Sequence, residues 1–216
     1  HISYEIYGSV TGRLTTKSNS FPILNLKKDI ADIVKPTNDA FIQFDFNGAE
    51  VRTLLSLSGE TQPKEDIHEF NAKILKCTRE KAKKKFFAWF YNPNKKNIEL
   101  SEVYKRDKVL ERHYSDGIVQ TPFGRKIEAD DFHSFNYLLQ SSSSDNCLQQ
   151  AIKINKFLHG RRSFVHSVVH DSITIDFHKH DRDLIIQIKQ IFEDTRLGHF
   201  KASMHIGKNY RDMELV

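Results

Sequence analysis

Residues 41–57, FIQFDFNGAEVRTLLSL, pass from a strand pattern to a helix pattern within a few positions. The first six residues are mostly aromatic or β-branched, which is typical of a buried strand near the centre of a sheet. From Glu50 onward the apolar residues recur at helical spacing and fall on one side. Asp45 therefore ends an apolar strand. Taken alone, an aspartate at such a position is more often a turn former or a helix cap than a catalytic residue.

Downstream, four residues repeat at intervals of four. They are Arg79, Lys83, Phe87 and Tyr91. On a helix each interval advances about 6 Å along nearly one face, so the stripe spans roughly 18 Å. Two cations followed by two aromatic rings match a nucleoside triphosphate, which is anionic at one end and carries a flat base at the other. The alternatives are a solvated basic helix for the cations, since other lysines flank them, and core packing for the rings.

A third pattern consists of two strand-like segments, residues 163–169 and 172–177, joined by a tight His170-Asp171 turn. This turn can project the carboxylate of Asp171 towards the end of the strand that carries Asp45. Carboxylates are preferred ligands of Mg²⁺, and two bridged ions serve both ends of an in-line phosphoryl transfer. The pattern favours that chemistry, with an ordinary hairpin aspartate as the alternative.

The remaining elements follow from local signals. Asp66 and Thr78 stand where helix N-caps are expected, before helices that end near Lys76 and Tyr91. We further expect one charged helix over residues 95–115, a hairpin over 117–127, a helix over 130–158 that is interrupted in character at 141–144, and an amphipathic helix over 181–194.

Composition limits the class of protein. The chain of 216 residues is long enough to bury a core as one domain, or as one domain with a projecting subdomain. No run approaches the ~18 apolar residues of a membrane span, and no signal peptide opens the chain. Two isolated cysteines exclude a disulfide scaffold or a zinc cluster and favour the reducing cytoplasm. The net charge of +5 suits a polyanionic partner.

Together the motifs resemble the C-terminal palm and fingers of family A (DNA polymerase I-like) DNA polymerases, with a phage as the expected source and the host cytoplasm as the expected location. The main matches are Asp45-x4-Glu50-x-Arg52, Arg79-x3-Lys83-x3-Phe87-x3-Tyr91 and His170-Asp171-Ser172. Lesser matches, in the same order as in the family, are Thr11-Gly12-Arg13-Leu14, Asp66-Ile67-His68, Thr121-x-x-Gly124-Arg125, Asn136-x3-Gln140 and Gly207-x-Asn209-Tyr210. The resemblance covers nearly the whole chain.

The fold that this resemblance implies is α+β: a right-hand palm, with an antiparallel sheet and helices on one face, and a short helical fingers subdomain. We expect residues 1–60 to form the first part of the palm, 61–130 the shortened fingers and 131–216 the second part of the palm. The family's thumb and exonuclease-like domain have no counterpart here. We expect that upstream portion to be supplied in the same chain or by a separate subunit.

The resemblance also implies roles in the active site. Asp45 and Asp171, with the backbone carbonyl of Phe46, would hold two Mg²⁺ ions, for which Mn²⁺ is a possible substitute. Arg79 and Lys83 would bind the triphosphate of the incoming dNTP, with Lys83 also protonating the leaving pyrophosphate. The remaining nucleotide contacts would come from Phe87 and Tyr91, which stack near the nascent pair, from Glu50, which pairs with Tyr91 to exclude a ribose 2′-hydroxyl, and from His68, which approaches a phosphate.

Contacts with primer–template DNA are implied for Arg13, Asn136, Gln140 and His170. Arg13 and Gln140 match positions that contact the minor groove, where the acceptors recur in every base pair. His170 matches a residue near the primer terminus. The chain departs from the family at Ser172, which replaces a glutamate, and at Asn92, which replaces a glycine.

These features predict the catalytic core of a DNA-directed DNA polymerase that acts in DNA replication. Two other interpretations remain open. One is a non-catalytic DNA-binding remnant or a subunit of a split polymerase, although such a module would not need metal-binding carboxylates. The other is a single-subunit RNA polymerase, which Glu50 disfavours because it suits selection of deoxyribose.

Overall fold

The computed structural model describes all 216 residues, which form seven α-helices and twelve β-strands. The helices are α1 (Ala49–Leu57), α2 (Ile67–Ile74), α3 (Arg79–Phe90), α4 (Ile98–Tyr104), α5 (Arg106–His113), α6 (Asp131–Phe157) and α7 (Ile185–Glu193). The strands are β1 (Tyr4–Glu5), β2 (Thr15–Thr16), β3 (Ala40–Phe46), β4 (Tyr114–Ser115), β5 (Ile118–Gln120), β6 (Lys126–Glu128), β7 (Phe164–Val169), β8 (Ser172–Phe177), β9 (Asp194–Thr195), β10 (Gly198–His199), β11 (Ala202–Gly207) and β12 (Glu214–Leu215). Short 3-10 helices occur at Ile23–Asn25, Lys28–Ile33 and Lys179–Leu184.

The chain divides into two units. The sheet unit comprises His1–Phe46, Ser144–Arg196 and Ala202–Val216, and the helix-rich unit comprises Asn47–Ser143 and Leu197–Lys201. The assignment of these residues to a palm and a shortened fingers subdomain stays a prediction. None of the helices combines the length and hydropathy that crossing a lipid bilayer requires.

The sheet unit is built on a five-stranded sheet in the order β12-β11-β3-β8-β7. Every neighbouring pair is antiparallel, which confirms the predicted class of sheet. Central strand β3 buries Phe41 and Phe44 completely. Helix α7 packs on the sheet, and its Phe192 ring stacks on Phe46 with centroids 4.0 Å apart and planes 10° apart. Burial of side chains of this size stabilises a fold by roughly 1.5–3 kcal/mol each, so these rings fix the end of β3.

The helix-rich unit has a core of its own. Helix α3 contributes Phe86, Trp89 and Phe90, which are all buried. They pack in one cluster with residues from α1, α4, α5 and α6. Part of the aromatic turn of α3 is therefore core, as its composition indicates. Of the four residues spaced by four, Arg79, Lys83 and Tyr91 are exposed.

The turn between β3 and α1 depends on a glycine. Gly48 has φ +68° and occupies the N-cap position of α1. A Cβ atom there would lie 2.6 Å from Cγ2 of Ile67, which is closer than any packed core tolerates. Glycine meets both conditions because it lacks a Cβ atom, so the chain can enter α1 within two residues of the strand end.

Several element predictions are confirmed. The strand at 41–46, the helix after Glu50, the hairpin at 117–127 and the two strands around His170-Asp171 all form. The carboxylate of Asp66 caps α2 by accepting hydrogen bonds from the backbone N–H groups of His68 and Glu69. Thr78 occupies the N-cap position of α3, but its side chain makes no capping hydrogen bond.

Three element predictions were wrong in detail. Residues 95–115 form two helices, α4 and α5, because Lys105 between them has φ +46° and breaks the hydrogen-bonded ladder. Helix α6 runs without interruption through residues 141–144, where all four serines are buried. Helix α7 begins only at Ile185, since the preceding residues form a 3-10 helix.

Candidate active site

The pairing of β3 with β8 brings the two predicted metal ligands to neighbouring strand ends. Asp45 lies opposite Ser172 in the antiparallel register, and Asp171 is the residue immediately before Ser172. The backbone N–H of Phe46 donates to the carbonyl oxygen of Asp171 over 3.3 Å. Both aspartates are half-buried. The sequence reasoning therefore identified two carboxylates that the fold places side by side.

Electrostatics distinguish this pair from an ordinary surface cluster. Burial, and then the negative charge of Asp171, raise the pKa of Asp45 to about 6. The charge of Asp171 thus disfavours ionisation of Asp45, and a divalent cation between the two carboxylates would reverse this effect. No group of three or more His, Cys, Asp or Glu side chains arranged to hold a metal ion occurs in the structure. The donor set is a carboxylate pair, which suits an ion that takes further ligands from its substrate.

The turn before β8 has an unusual backbone. His170 has φ +52°, a left-handed conformation in which residues other than glycine are uncommon, and its side chain is exposed. The hydroxyl of Ser172 donates to the carbonyl of Val169 across the turn over 2.9 Å and accepts from Gln43 Nε2 over 3.3 Å. Ser172 therefore stabilises the turn through its hydroxyl group.

Two further features of the sheet unit adjoin this turn. Cys147 is fully buried on α6, and burial, followed by the charges of Asp171 and Asp45, raises the pKa of its thiol. The predicted DNA contact Arg13 shares a small pocket with Ser144 and His170. The Ser144 hydroxyl also donates to the carbonyl of Gly12 over 3.3 Å, which fixes the Thr-Gly-Arg segment to α6.

In the helix-rich unit, the aromatic half of the α3 stripe is ordered by stacking and by one hydrogen bond. The rings of Phe87 and Tyr91 are nearly parallel, with centroids 5.7 Å apart and planes 8° apart. The Tyr91 hydroxyl donates to Oε2 of Glu50 over 3.0 Å. The expected contact between Glu50 and Tyr91 is thus present, and its use in sugar selection stays a prediction.

His68 lies beside the same stripe. Its ring centroid is 5.6 Å from that of Phe87, and its buried Nδ1 atom has no hydrogen-bond partner. Burial lowers the pKa of His68; the charge of Asp66 opposes this, and the positive charges of Lys83 and Arg79 add to it. The imidazole is therefore neutral at neutral pH and lies among the predicted phosphate-binding cations.

Arg79 is already engaged by a carboxylate. Its Nε and Nη2 atoms donate to Oδ1 and Oδ2 of Asp66, both over 3.0 Å. Burial would raise the pKa of Asp66, but the hydrogen bonds from Arg79, Asn47 and Glu69 outweigh it and hold that pKa well below its usual range. Sequence reasoning assigned Asp66 only a capping role, since nothing in the local pattern indicates a partner 13 residues away.

Asn47 and Arg52 also support this part of the unit, and neither was predicted as a site residue. Arg52 is completely buried and donates to the backbone carbonyls of Asn47, Pro63 and Glu65. The side-chain amide of Asn47 donates to Oδ2 of Asp66 over 2.6 Å. Arg52 belongs to the first motif, which was an available signal, whereas Asn47 falls at an unspecified position of that motif; both roles depend on tertiary contacts.

The remaining predicted residues lie on α6. Asn136 and Gln140 are both half-buried there. Asn136 lines a pocket with Phe90 and Tyr91, and its Oδ1 atom is buried without a hydrogen-bond partner. The predicted set is thus divided between the units. Arg13, Asp45, Phe46, His170 and Asp171 belong to the sheet unit, and Glu50, His68, Arg79, Lys83, Phe87, Tyr91, Asn136 and Gln140 belong to the helix-rich unit.

Comparison with known proteins gives a match in structure alone. No protein-family model matches the sequence, and no curated protein matches it. The fold is similar to that of the POL domain of Pol1 from M. smegmatis, solved in complex with DNA primer-template and dNTP, with a TM-score of 0.76 and 15% sequence identity. The match covers 98% of this chain and 48% of that chain, so the chain spans about half of the other protein. The chain therefore has the fold of a DNA polymerase domain.

Proposed function

We propose that this protein is the catalytic core of a template-directed DNA polymerase that transfers dNMP from dNTP to a primer 3′-hydroxyl during DNA replication. The observation that carries this proposal is the β3–β8 pairing, which sets Asp45 beside Asp171 within a polymerase-domain fold. A module that only bound DNA would gain nothing from two adjacent carboxylates that destabilise each other's charge.

Two Mg²⁺ ions, or Mn²⁺ as a substitute, are the proposed cofactors. Asp45, Asp171 and the carbonyl of Phe46 would hold them. The raised pKa of Asp45 supports this fit, because a cation bound between the two carboxylates would offset the repulsion by Asp171 that contributes to it. When bound, the ions would make the primer hydroxyl nucleophilic and neutralise charge on the departing pyrophosphate.

The helix-rich unit supplies the proposed nucleotide contacts. Arg79 and Lys83 bind the triphosphate, and Lys83 donates a proton to the leaving pyrophosphate. The Phe87–Tyr91 stack provides a flat surface for the nascent pair. Glu50 accepts the hydrogen bond of the Tyr91 hydroxyl. It therefore excludes a ribose 2′-hydroxyl by shape and because Tyr91 already donates to Glu50.

The DNA partner is a primer–template duplex. Arg13, Asn136, Gln140 and His170 are the proposed contacts, and the net charge of +5 favours the phosphate backbone. We further propose that a thumb and an exonuclease-like portion grip the duplex, either in the same polypeptide or in a separate subunit. The likeness covers 48% of the neighbour's chain, which leaves room for such a portion.

The test is single-nucleotide primer extension with Mg²⁺ and a matched dNTP. Asp45→Ala and Asp171→Ala should each abolish incorporation, while Asp183→Ala, an exposed carboxylate of the same unit, should not. A near-wild-type rate in either site variant would refute the metal assignment. Duplex binding without any incorporation by the wild-type protein would favour the non-catalytic remnant, and preferential use of rNTP would favour an RNA polymerase.

A further inference from the structure

We propose that Asp66 and Asn47 are positioning residues, which fix the guanidinium of Arg79 so that its unused N–H groups face the triphosphate of the incoming nucleotide. This inference rests on the proposed polymerase function and deepens it. Neither residue would touch the nucleotide. Both would act through Arg79, and their effect would appear in nucleotide affinity.

The geometry of the Asp66–Arg79 pair leaves donors available. An arginine side chain carries five N–H groups in one plane. Nε–H and one N–H of Nη2 are donated to the two oxygens of Asp66, each over 3.0 Å. Both N–H groups of Nη1 and the second N–H of Nη2 remain. The Arg79 side chain keeps 41% of its surface exposed, so these three donors can reach a phosphate without breaking the existing pair.

Asp66 itself cannot easily reorient. Oδ1 accepts from the backbone N–H groups of His68 and Glu69 at the start of α2, over 2.9 and 3.0 Å, in addition to Arg79. Oδ2 accepts from the amide of Asn47 over 2.6 Å. Five hydrogen bonds therefore converge on one carboxylate, and they fix the plane in which the Arg79 guanidinium must lie.

Asn47 is held from the other side. Its Oδ1 atom accepts from the backbone N–H of Ile67 over 2.7 Å and from Nη2 of Arg52 over 3.2 Å. Arg52 is buried and bound to backbone carbonyls. The support of Arg79 thus ends in backbone groups, which do not change rotamer.

This arrangement lowers the entropic cost of nucleotide binding. A free arginine side chain loses rotamer freedom when it binds a phosphate, whereas Arg79 has lost that freedom in advance. A second ion pair of the same unit provides a control for the Asp66–Arg79 pair. Lys105 contacts Glu60 over 2.5 Å, and neither residue belongs to the predicted site or to the support of Arg79, so this pair serves as a matched control.

The experiment measures equilibrium binding of the matched dNTP to the protein with primer–template and Mg²⁺, together with kcat and KM. Asp66→Ser retains an oxygen that caps α2 but removes the two-point contact with Arg79. We expect Asp66→Ser and Asn47→Ala to raise the dNTP Kd and KM roughly tenfold, with a much smaller change in kcat and unchanged primer–template affinity. Glu60→Gln should leave all these values unchanged.

A double variant tests whether Asp66 acts through Arg79. In an Arg79→Ala background, Asp66→Ser should weaken dNTP binding no further. A further tenfold loss would overturn the inference, as would wild-type dNTP affinity in both single variants. Absence of dNTP binding by the wild-type protein would instead overturn the proposed function, and the inference with it. Thermal unfolding of each variant separates a positioning effect from loss of the fold.

Discussion

At the scale of single residues, Asp45 is costly to the fold because it is half-buried beside another carboxylate. Its pKa of about 6 in the folded protein exceeds the ordinary value of 3.8. Between these two values the folded state binds more protons than the unfolded state, so the free energy of unfolding decreases as the pH rises through this window. At neutral pH the ionised carboxylate therefore opposes folding.

Asp45→Asn should consequently stabilise the fold at pH 7. The pKa shift corresponds to at most ~3 kcal/mol, and partial exposure reduces the expected gain to about 1–2 kcal/mol. Urea denaturation between pH 4 and pH 8 measures it, and the gain should vanish below pH 4. An equal free energy of unfolding for both proteins at pH 7 would contradict the electrostatic account.

Divalent cations should offset the destabilisation that ionised Asp45 causes in the wild-type protein. Mg²⁺ bound only by the folded protein raises its stability by mass action. We expect Mg²⁺ to raise the midpoint of thermal unfolding of the wild-type protein by a few degrees and to leave that of Asp45→Asn unchanged. A shift of equal size in both proteins would place the cation elsewhere.

A substitution at His170 should also change stability and activity in opposite directions. Its φ of +52° costs a residue with a Cβ atom roughly 1–2 kcal/mol. Glycine avoids this strain but loses more conformational entropy on folding, so the net gain is smaller. His170→Gly should stabilise the fold by about 0.5 kcal/mol and weaken primer extension. Asp116, with φ +54° in another turn, provides the control, since Asp116→Gly should stabilise similarly and leave extension intact. Full activity in His170→Gly would remove the residue from the site.

At the scale of elements, the hydrogen bond between Glu50 on α1 and Tyr91 after α3 predicts the choice of sugar. Glu50→Ala removes the carboxylate that accepts from the Tyr91 hydroxyl and opens space, so incorporation of rNMP relative to dNMP should rise at least tenfold, or about 1.4 kcal/mol. Competition between dNTP and rNTP in single-turnover extension measures the ratio. The exposed Glu99, replaced by Ala, should have no effect, and an unchanged ratio in Glu50→Ala would contradict the assignment.

Elements were predictable where local chemistry determined them. The strand at 41–46 follows from its aromatic residues, and α2 follows from the Asp66 cap. The serines of α6 were misleading because serine disfavours an isolated helix, whereas here the Ser142 hydroxyl bonds to the carbonyl of Leu138 in the same helix. The break at Lys105 was hidden because lysine is a good helix former, and tertiary packing overrides that propensity.

At the scale of the whole molecule, the positive charge predicts a strong dependence of DNA binding on salt. Each phosphate neutralised by Lys or Arg releases counterions, so affinity falls steeply as salt rises. We expect the primer–template Kd to increase at least tenfold between 50 and 200 mM salt. Fluorescence anisotropy measures this, with thermal unfolding at both salt concentrations as a control. A Kd independent of salt would contradict binding through the phosphate backbone.

Motif spacing predicted members of the candidate site, and their membership stays a prediction, but it did not predict the hydrogen bonds between side chains. Residues such as Asp45, Lys83 and Asp171 were identified from motif spacing. The Asn47–Asp66 contact joins residues 19 positions apart, and no periodic pattern reveals a contact at that separation. The pairing of Arg79 with Asp66 is hidden for the same reason. Motif spacing thus predicts groups that we propose to meet a substrate, whereas the contacts of the groups proposed to orient them appear only in the folded chain.

The order of strands in the large sheet has a consequence for how the protein matures. Strand β3 is synthesised well before both of its neighbours, β8 and β11; Gln43, for example, bonds to Ser172 across 129 residues. Closing such a loop is slow because chain entropy is lost before any contact is gained. A nascent chain on the ribosome would therefore carry β3 with both edges exposed to other proteins. The two carboxylates would come together only after β8 has been synthesised and has paired with β3.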